Sequence, residues 1–315
     1  MYPPLIILSG PTSVGKTRLS LRLAKATGGE IISADSMQVY RGMDIGTAKI
    51  TKEEMGDMPH HLIDCLDPKE PFNVSLFKDL AEQAITEIRS RNRIPIVVGG
   101  TGFYIQALLK GITFSEEEED GYRLQLEQKG LSEEGAAELF DELKRIDPDS
   151  AAAIPRQNLK RVIRALTFYH YHGYPISEHN RTEKEKEPKY NFAYFVLTTD
   201  RDTLYDNINR RVDQMMADGL LKEVETLKES GLIKTDVSMQ GLGYKQLLAY
   251  LDGEITLAEA VTRIKTETRH FAKRQLTWFR REKDCIFFDK SKQSEDEILA
   301  DMIRILKERR IIPME

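Results

Sequence analysis

The stretch LIILSGPTSVGKTRLSLRLAKA, residues 5–26, decides the fold. LIILSG (5–10) is a short apolar run of the kind that forms a buried strand, and it ends in glycine. GPTSVGKT (10–17) matches the pattern G-x-x-x-x-G-K-[ST]. The following residues, 16–26, read as a helix with Leu19 and Leu23 on one face. Strand, Gly-rich turn and helix form the setting in which this pattern cradles phosphate. Gly10 and Gly15 let the amides between them, at Thr12, Ser13 and Val14, turn inward. The helix N-terminus adds the positive end of its dipole. Lys16 brings a point charge, and Thr17 offers a hydroxyl to a magnesium ion.

Outward from this unit the alternation continues. EIISAD (30–35) is a second strand, residues 77–90 a helix with Leu80, Ala84 and Ile88 at a spacing of four, and IPIVVGG (94–100) a third strand. This rhythm predicts a parallel sheet with right-handed crossovers. From 112 to 189 no comparable strand signal appears, and 124–129, 133–145 and 158–170 read as helices. RTEKEKEPK (181–189) reads as a charged linker-like loop. A strand resumes over 192–200. Helices follow over 202–218, 221–229 and 256–281, then a strand over 285–289 and a helix over 295–309. The expected architecture is α/β: a P-loop core with a parallel sheet flanked by helices, from 1–111 and 190–315, carrying an all-helical insertion over 112–189. No internal repeat is present.

At 315 residues and 36.1 kDa the chain can bury a core without staples. Its apolar runs are too short to span a bilayer, and MYPPLIILSG lacks the basic n-region of a secretory signal, so a cytoplasmic protein is expected. Two distant cysteines, Cys65 and Cys285, exclude a disulfide scaffold and a Cys-built zinc finger. Net charge is -5. That balance argues against wholesale nucleic-acid binding but hides local asymmetry. Residues 156–164 hold four Lys/Arg and no acid, and 263–283 hold eight Lys/Arg against two Glu, whereas 116–120 are all acidic.

A P-loop indicates phosphate but not which compound. No NKxD occurs, which weakens a GTPase reading. IISAD could complete an NTPase metal site, so a small-metabolite kinase stays open on these motifs. So does an NTP-switched RNA-binding protein. In a parallel sheet, ligands bind outside the carboxyl ends of the strands. The P-loop, Asp35 and GGTGFY (99–104) should therefore converge there. A carboxylate and the Thr101 hydroxyl beside a held phosphate suit a base and a hydrogen-bonding helper. The structural alternative for Asp35 is a turn or helix-cap residue.

GPTSVGKT, ISADSMQVYRGMDIGTAK (32–49), PHHLID (59–64), GGTGFY, VIRAL (162–166) and AKRQLTWFRR (272–281) resemble, in order, the motifs of the tRNA dimethylallyltransferase family, bacterial type. The resemblance implies transfer of a dimethylallyl group from dimethylallyl diphosphate to N6 of the adenosine immediately 3′ of the anticodon. The P-loop then holds the donor's diphosphate with Mg2+. Asp35 matches the family's base, and Thr101 its threonine at the target nucleotide. Ser36, Met37 and Gln38 match residues around the flipped base. Lys160, Arg161 and Arg164 match the insertion-domain helix that meets the anticodon arm, Arg123 a basic tRNA-contact position, and Arg211 an arginine near the diphosphate. Thr167, Asn207 and Phe103 depart from the pattern. The implied partners are tRNA and the diphosphate donor, with a monomer expected and no membrane. Lys160, Arg161 and Arg164 with Gln157 fall on one stripe of a helix whose other side carries Leu159, Val162, Ile163 and Leu166. His60 and His61 point apart and read as structural or RNA-facing. Trp278 reads as core before base platform. His170, His172 and His179 receive no role.

Overall fold

The computed structural model describes residues 2–114 and 120–314. Along the chain run β1 (Pro4–Ser9), α1 (Lys16–Thr27), β2 (Gly29–Ser33), α2 (Lys52–Met55), β3 (His60–His61), α3 (Val74–Ser90), β4 (Ile94–Gly99) and α4 (Gly102–Lys110). Then come α5 (Tyr122–Lys129), α6 (Glu133–Ile146), α7 (Pro148–Ala153), α8 (Leu159–His172) and α9 (Ile176–Glu185). The chain closes with β5 (Asn191–Thr198), α10 (Arg201–Ala217), α11 (Leu220–Glu229), α12 (Tyr244–Leu251), α13 (Leu257–Phe279), β6 (Cys285–Asp289) and α14 (Glu295–Glu308). The sheet has strand order β3-β2-β4-β1-β5-β6, and every pairing is parallel. The three loops that carry the candidate chemistry leave three neighbouring strands, β2, β4 and β1.

Both faces of the sheet are covered, which is why β1 and β2 are near-continuous apolar runs. Alternate residues of β1 serve opposite cores. Leu5 and Ile7 join Phe77, Ala81, Ile85 and Ile88 of α3 and Leu247 of α12. Ile6 and Leu8 join Leu19 and Leu23 of α1, Ile208 of α10 and Met302 of α14. This period-two division follows from the pleat.

The residues fall into two compact units, Met1–Gly111 with Lys189–Glu315, and Ile112–Pro188. The second unit, α5–α9, has its own core of Leu126, Leu139, Phe140, Leu143, Val162, Ile163, Leu166 and Ile176. The linker-like reading of 181–189 is corrected here: α9 runs through Glu185. Glu183 is buried, accepting from the Thr113 amide at 3.0 Å and from Lys186 Nζ at 2.7 Å. One charged residue in that run thus faces inward, and composition could not distinguish it from its solvated neighbours. Of the acidic run, 116–119 lie outside the described residues. Among the described residues no helix is long and apolar enough to cross a membrane.

Candidate active site

The phosphate loop joins β1 to α1. Gly10 has φ 145°, and a side chain there would meet the Leu197 carbonyl of neighbouring β5 at 2.5 Å, so the loop can only leave the sheet through glycine. Ser13 adopts φ 63°, and its buried hydroxyl has no partner among the described residues. An unpaired buried hydroxyl needs an explanation. Ser13 lines a chamber of about 140 Å³ with Thr12, Gly15, Lys16, Thr17, Asp35, Gln38 and Arg211. A ligand oxygen in that chamber would give the hydroxyl its partner. Gly10 and Val14 contribute differently. The Gly10 carbonyl accepts from Lys16 Nζ at 3.0 Å, and the Val14 side chain is buried in the core.

Lys16 Nζ also donates to the Pro11 carbonyl at 2.8 Å. Burial, and then the nearby Arg211 charge, push the Lys16 ammonium down to about 8, with Asp35 opposing the shift. Burial likewise holds Arg211 below the ordinary guanidinium range, again against Asp35. Two enclosed cations therefore face one carboxylate. That surplus suits an oxyanion, which would relieve the cost both cations carry.

A second chamber of about 350 Å³ shares Thr12, Ser13, Asp35, Thr47, Arg211 and Gln275 with the first. Its polar walls include Ser36 and Thr101, and its apolar walls Met37, Ile208, Val212, Met215, Ile264 and Phe271. Asp35 Oδ1 accepts from the Met37 amide at 2.9 Å, so the turn alternative raised above is part of its role. Its other oxygen has no hydrogen-bond partner among the described residues. Thr101 precedes α4 without a side-chain capping bond, which leaves its hydroxyl available to this chamber. Gln38 lines the smaller chamber. Its Nε2 donates to the Thr47 carbonyl at 3.3 Å, and its Oε1 accepts from Ser33 Oγ at 3.1 Å.

Sequence reasoning missed three parts of this site. Gln275 of α13 accepts from the Thr12 amide at 2.9 Å and donates to the Gly100 carbonyl at 3.0 Å, bracing two loops together. Phe271, one turn earlier on α13, lines both chambers. Residues 240–245, QGLGYK, form a wall of the larger one. The Gly-rich character of that run was the available signal. Asn207 accepts from Arg210 Nη2 at 2.9 Å, and both line an open depression with Ser13, Gly15 and Arg211. Trp278 packs edge-on to Phe103, with centroids 6.2 Å apart, and against the core. His61 Nε2 bonds Glu30 at 2.9 Å, and His60 Nδ1 the Met58 carbonyl at 2.8 Å.

Thr17 is exposed and lines the smaller chamber together with Asp35. Among the described residues no cluster of His, Cys, Asp or Glu could hold a metal alone. A hydroxyl and a carboxylate lining one chamber are hard oxygen donors. They fit magnesium, which is commonly held by one or two protein ligands plus phosphate oxygens and water.

In the helical unit, Lys160, Arg161 and Arg164 are exposed, while Val162, Ile163 and Leu166 on the same helix are buried. No ion pair neutralises the three cations among the described residues. Arg123 pairs with Glu127 at 3.1 Å on α5.

A family model described as IPP transferase matches residues 38–282, and one described as isopentenyl transferase matches 3–64. The chain is 56% identical over 311 residues to the tRNA dimethylallyltransferase of Lachnoclostridium phytofermentans, covering 98% of this chain and 99% of that one. It is similar to the solved tRNA isopentenylpyrophosphate transferase of Bacillus halodurans, with TM-score 0.73, 46% identity and coverage of 97% and 96%. It is also similar to a eukaryotic dimethylallyltransferase solved acting on tRNA, with TM-score 0.80, 29% identity and coverage of 96% and 78%.

Proposed function

The chain belongs to the IPP transferase family, and on that premise we propose that it transfers a dimethylallyl group from dimethylallyl diphosphate to tRNA, at N6 of the adenosine immediately 3′ of the anticodon. The observation that carries this reading is that Asp35 lines both chambers, one walled by phosphate-loop groups and cations, the other largely apolar. A donor with its diphosphate in the first and its five-carbon tail directed to the second sets its reactive carbon beside that carboxylate.

The exocyclic amine of adenine is a weak nucleophile because its lone pair is delocalised into the ring. Its nitrogen forms a bond to the donor's C1 as the C1–O bond breaks. The displaced proton passes to Asp35, and diphosphate leaves with the bonding electron pair. Lys16, Arg211, the Ser13 hydroxyl and the loop amides face the oxygens on which charge develops. Thr17 would hold magnesium together with those oxygens, and the ion would supply further neutralisation. Thr101 and Ser36 offer hydrogen bonds to the base, which must leave its stack to enter. The exposed cations of α8 suit the phosphates of the anticodon arm. A cytoplasmic monomer is the expected working form.

Mass spectrometry of nucleosides from tRNA incubated with protein, dimethylallyl diphosphate and magnesium tests the proposal. A single added C5H8 unit on one adenosine is expected. Unmodified tRNA together with turnover of ATP on a small metabolite would favour the kinase alternative.

A further inference from the structure

The loop after the second-strand motif is held from far away in sequence. One carboxylate oxygen of Glu223, on α11, accepts from the amides of Asp44 at 2.9 Å and Ile45 at 2.7 Å. The other accepts from the Gly46 amide at 3.0 Å and from the Tyr244 hydroxyl at 2.6 Å. Three consecutive backbone donors converging on one carboxylate resemble the nests that bind anions, here filled by a side chain of the protein itself. Gly46 also lies close against Tyr244, where a side chain would come within 2.6 Å of the ring and its hydroxyl.

The clasped loop is part of the site. Gly46 lines only the larger chamber, with Thr101, and Thr47 stands with Asp35 where the two chambers meet. The Thr47 carbonyl takes the Gln38 amide, Gln38 takes the Ser33 hydroxyl, and the Asp35 amide approaches that hydroxyl at 3.4 Å. A continuous chain of contacts thus runs from Glu223 to the backbone of Asp35. The phosphate loop has a separate brace in Gln275.

We propose that Glu223, with Tyr244, is a positioning residue for the accepting nucleoside: it fixes the 44–47 loop as one wall of the reaction chamber and leaves the diphosphate cradle to Lys16, Arg211 and Gln275. This rests on the prenyl-transfer reading. Misplacement of a supporting wall by about 1 Å can cost up to ~10²-fold in rate. Glu223→Ala leaves all four donors without their acceptor. Glu223→Gln keeps one oxygen for two amides, and its NH2 can donate to the Tyr244 hydroxyl.

The experiment measures single-turnover prenylation of tRNA, the Kd of inorganic pyrophosphate and the thermal melt, for wild type, Glu223→Gln and Glu223→Ala. The expected order of rates at saturating tRNA is wild type, then Gln, then Ala, with Ala down about 10- to 100-fold and pyrophosphate affinity within about twofold throughout. Equal rates in all three would overturn the proposal. So would rate and pyrophosphate affinity falling together with the folded fraction, which would make Glu223 a stability residue only. Wild-type protein that prenylates nothing would refute the underlying reading instead, independently of the variants.

Discussion

Gln275 Oε1 accepts a hydrogen bond from the Thr12 amide at 2.9 Å, tying the phosphate loop to a helix 263 residues further along the chain. The same side chain grips the Gly100 carbonyl, so one buried amide sets the spacing of two of the three loops that build the site.

Gln275→Leu keeps the bulk and removes both bonds. The Thr12 amide and Gly100 carbonyl then lose their partner, a cost of about 1–3 kcal/mol. Chemical denaturation should show a loss in that range, and donor affinity should fall about tenfold, equivalent to ~1.4 kcal/mol. Unchanged donor affinity would mean the loop holds its shape without the brace.

Lys16 should make donor binding pH-dependent. Its ammonium titrates near 8 in the free protein, well below the unfolded lysine, because burial and Arg211 disfavour the charge. A bound diphosphate favours the charged form and raises that value. Below about pH 8 the lysine is already protonated and affinity should be flat. Above it, binding must take up a proton, and affinity should weaken by up to tenfold per pH unit. For stability the sign is opposite: between 8 and the unfolded value the unfolded chain holds more protons, so this group favours the fold increasingly as pH rises. Donor titrations from pH 7 to 9.5 test the first statement. Lys16→Ala should lower turnover by about 10²–10³ and abolish the bend in the profile.

Asp35→Asn separates three roles. As the base, Asp35 should lose about 10²–10⁴ in the chemical step with both substrates still bound. As only the acceptor of the Met37 amide, it should be replaced by Asn with little loss. As chiefly a magnesium ligand, it should regain rate at higher metal. A single-turnover rate within threefold of wild type at two magnesium concentrations would exclude the base assignment.

Arg161→Ala and Arg164→Ala remove exposed cations that have no acid partner among the described residues. Each should weaken tRNA binding and reduce the slope of log K against log salt by about 0.7–0.9 per lost phosphate contact. Donor affinity should not change. An unaltered slope would leave these arginines as a solvated face.

Five of the six strands, the P-loop helix and the two-sided pattern of α8 were legible in the sequence, because each is decided within a few residues; β3, the two-residue strand His60–His61, was not, since so short a strand carries no period of its own and exists only by pairing with β2. A four-residue apolar run, two glycines around short polar residues, or a period near 3.6 carries its own structural consequence, and CIFFD kept its bounds of Cys285–Asp289. Asp35, Lys16 and Thr101 could be picked out as candidates because each follows an apolar strand run, Asp35 two residues beyond β2, Lys16 at the start of α1 and Thr101 ahead of α4. Gln275 and Glu223 could not. AKRQLTWFRR contains Gln275, but neither that run nor the neighbours of Glu223 show which backbone groups these side chains meet, and the Thr12 amide and the amides of 44–46 lie 263 and 177–179 positions away. The misread α9 has the same origin: Glu183 looks like any solvated glutamate until the fold supplies the Thr113 amide. Chain closure alone brings a carboxylate or amide to a particular backbone group, so the braces that aim the site exist only in the tertiary structure.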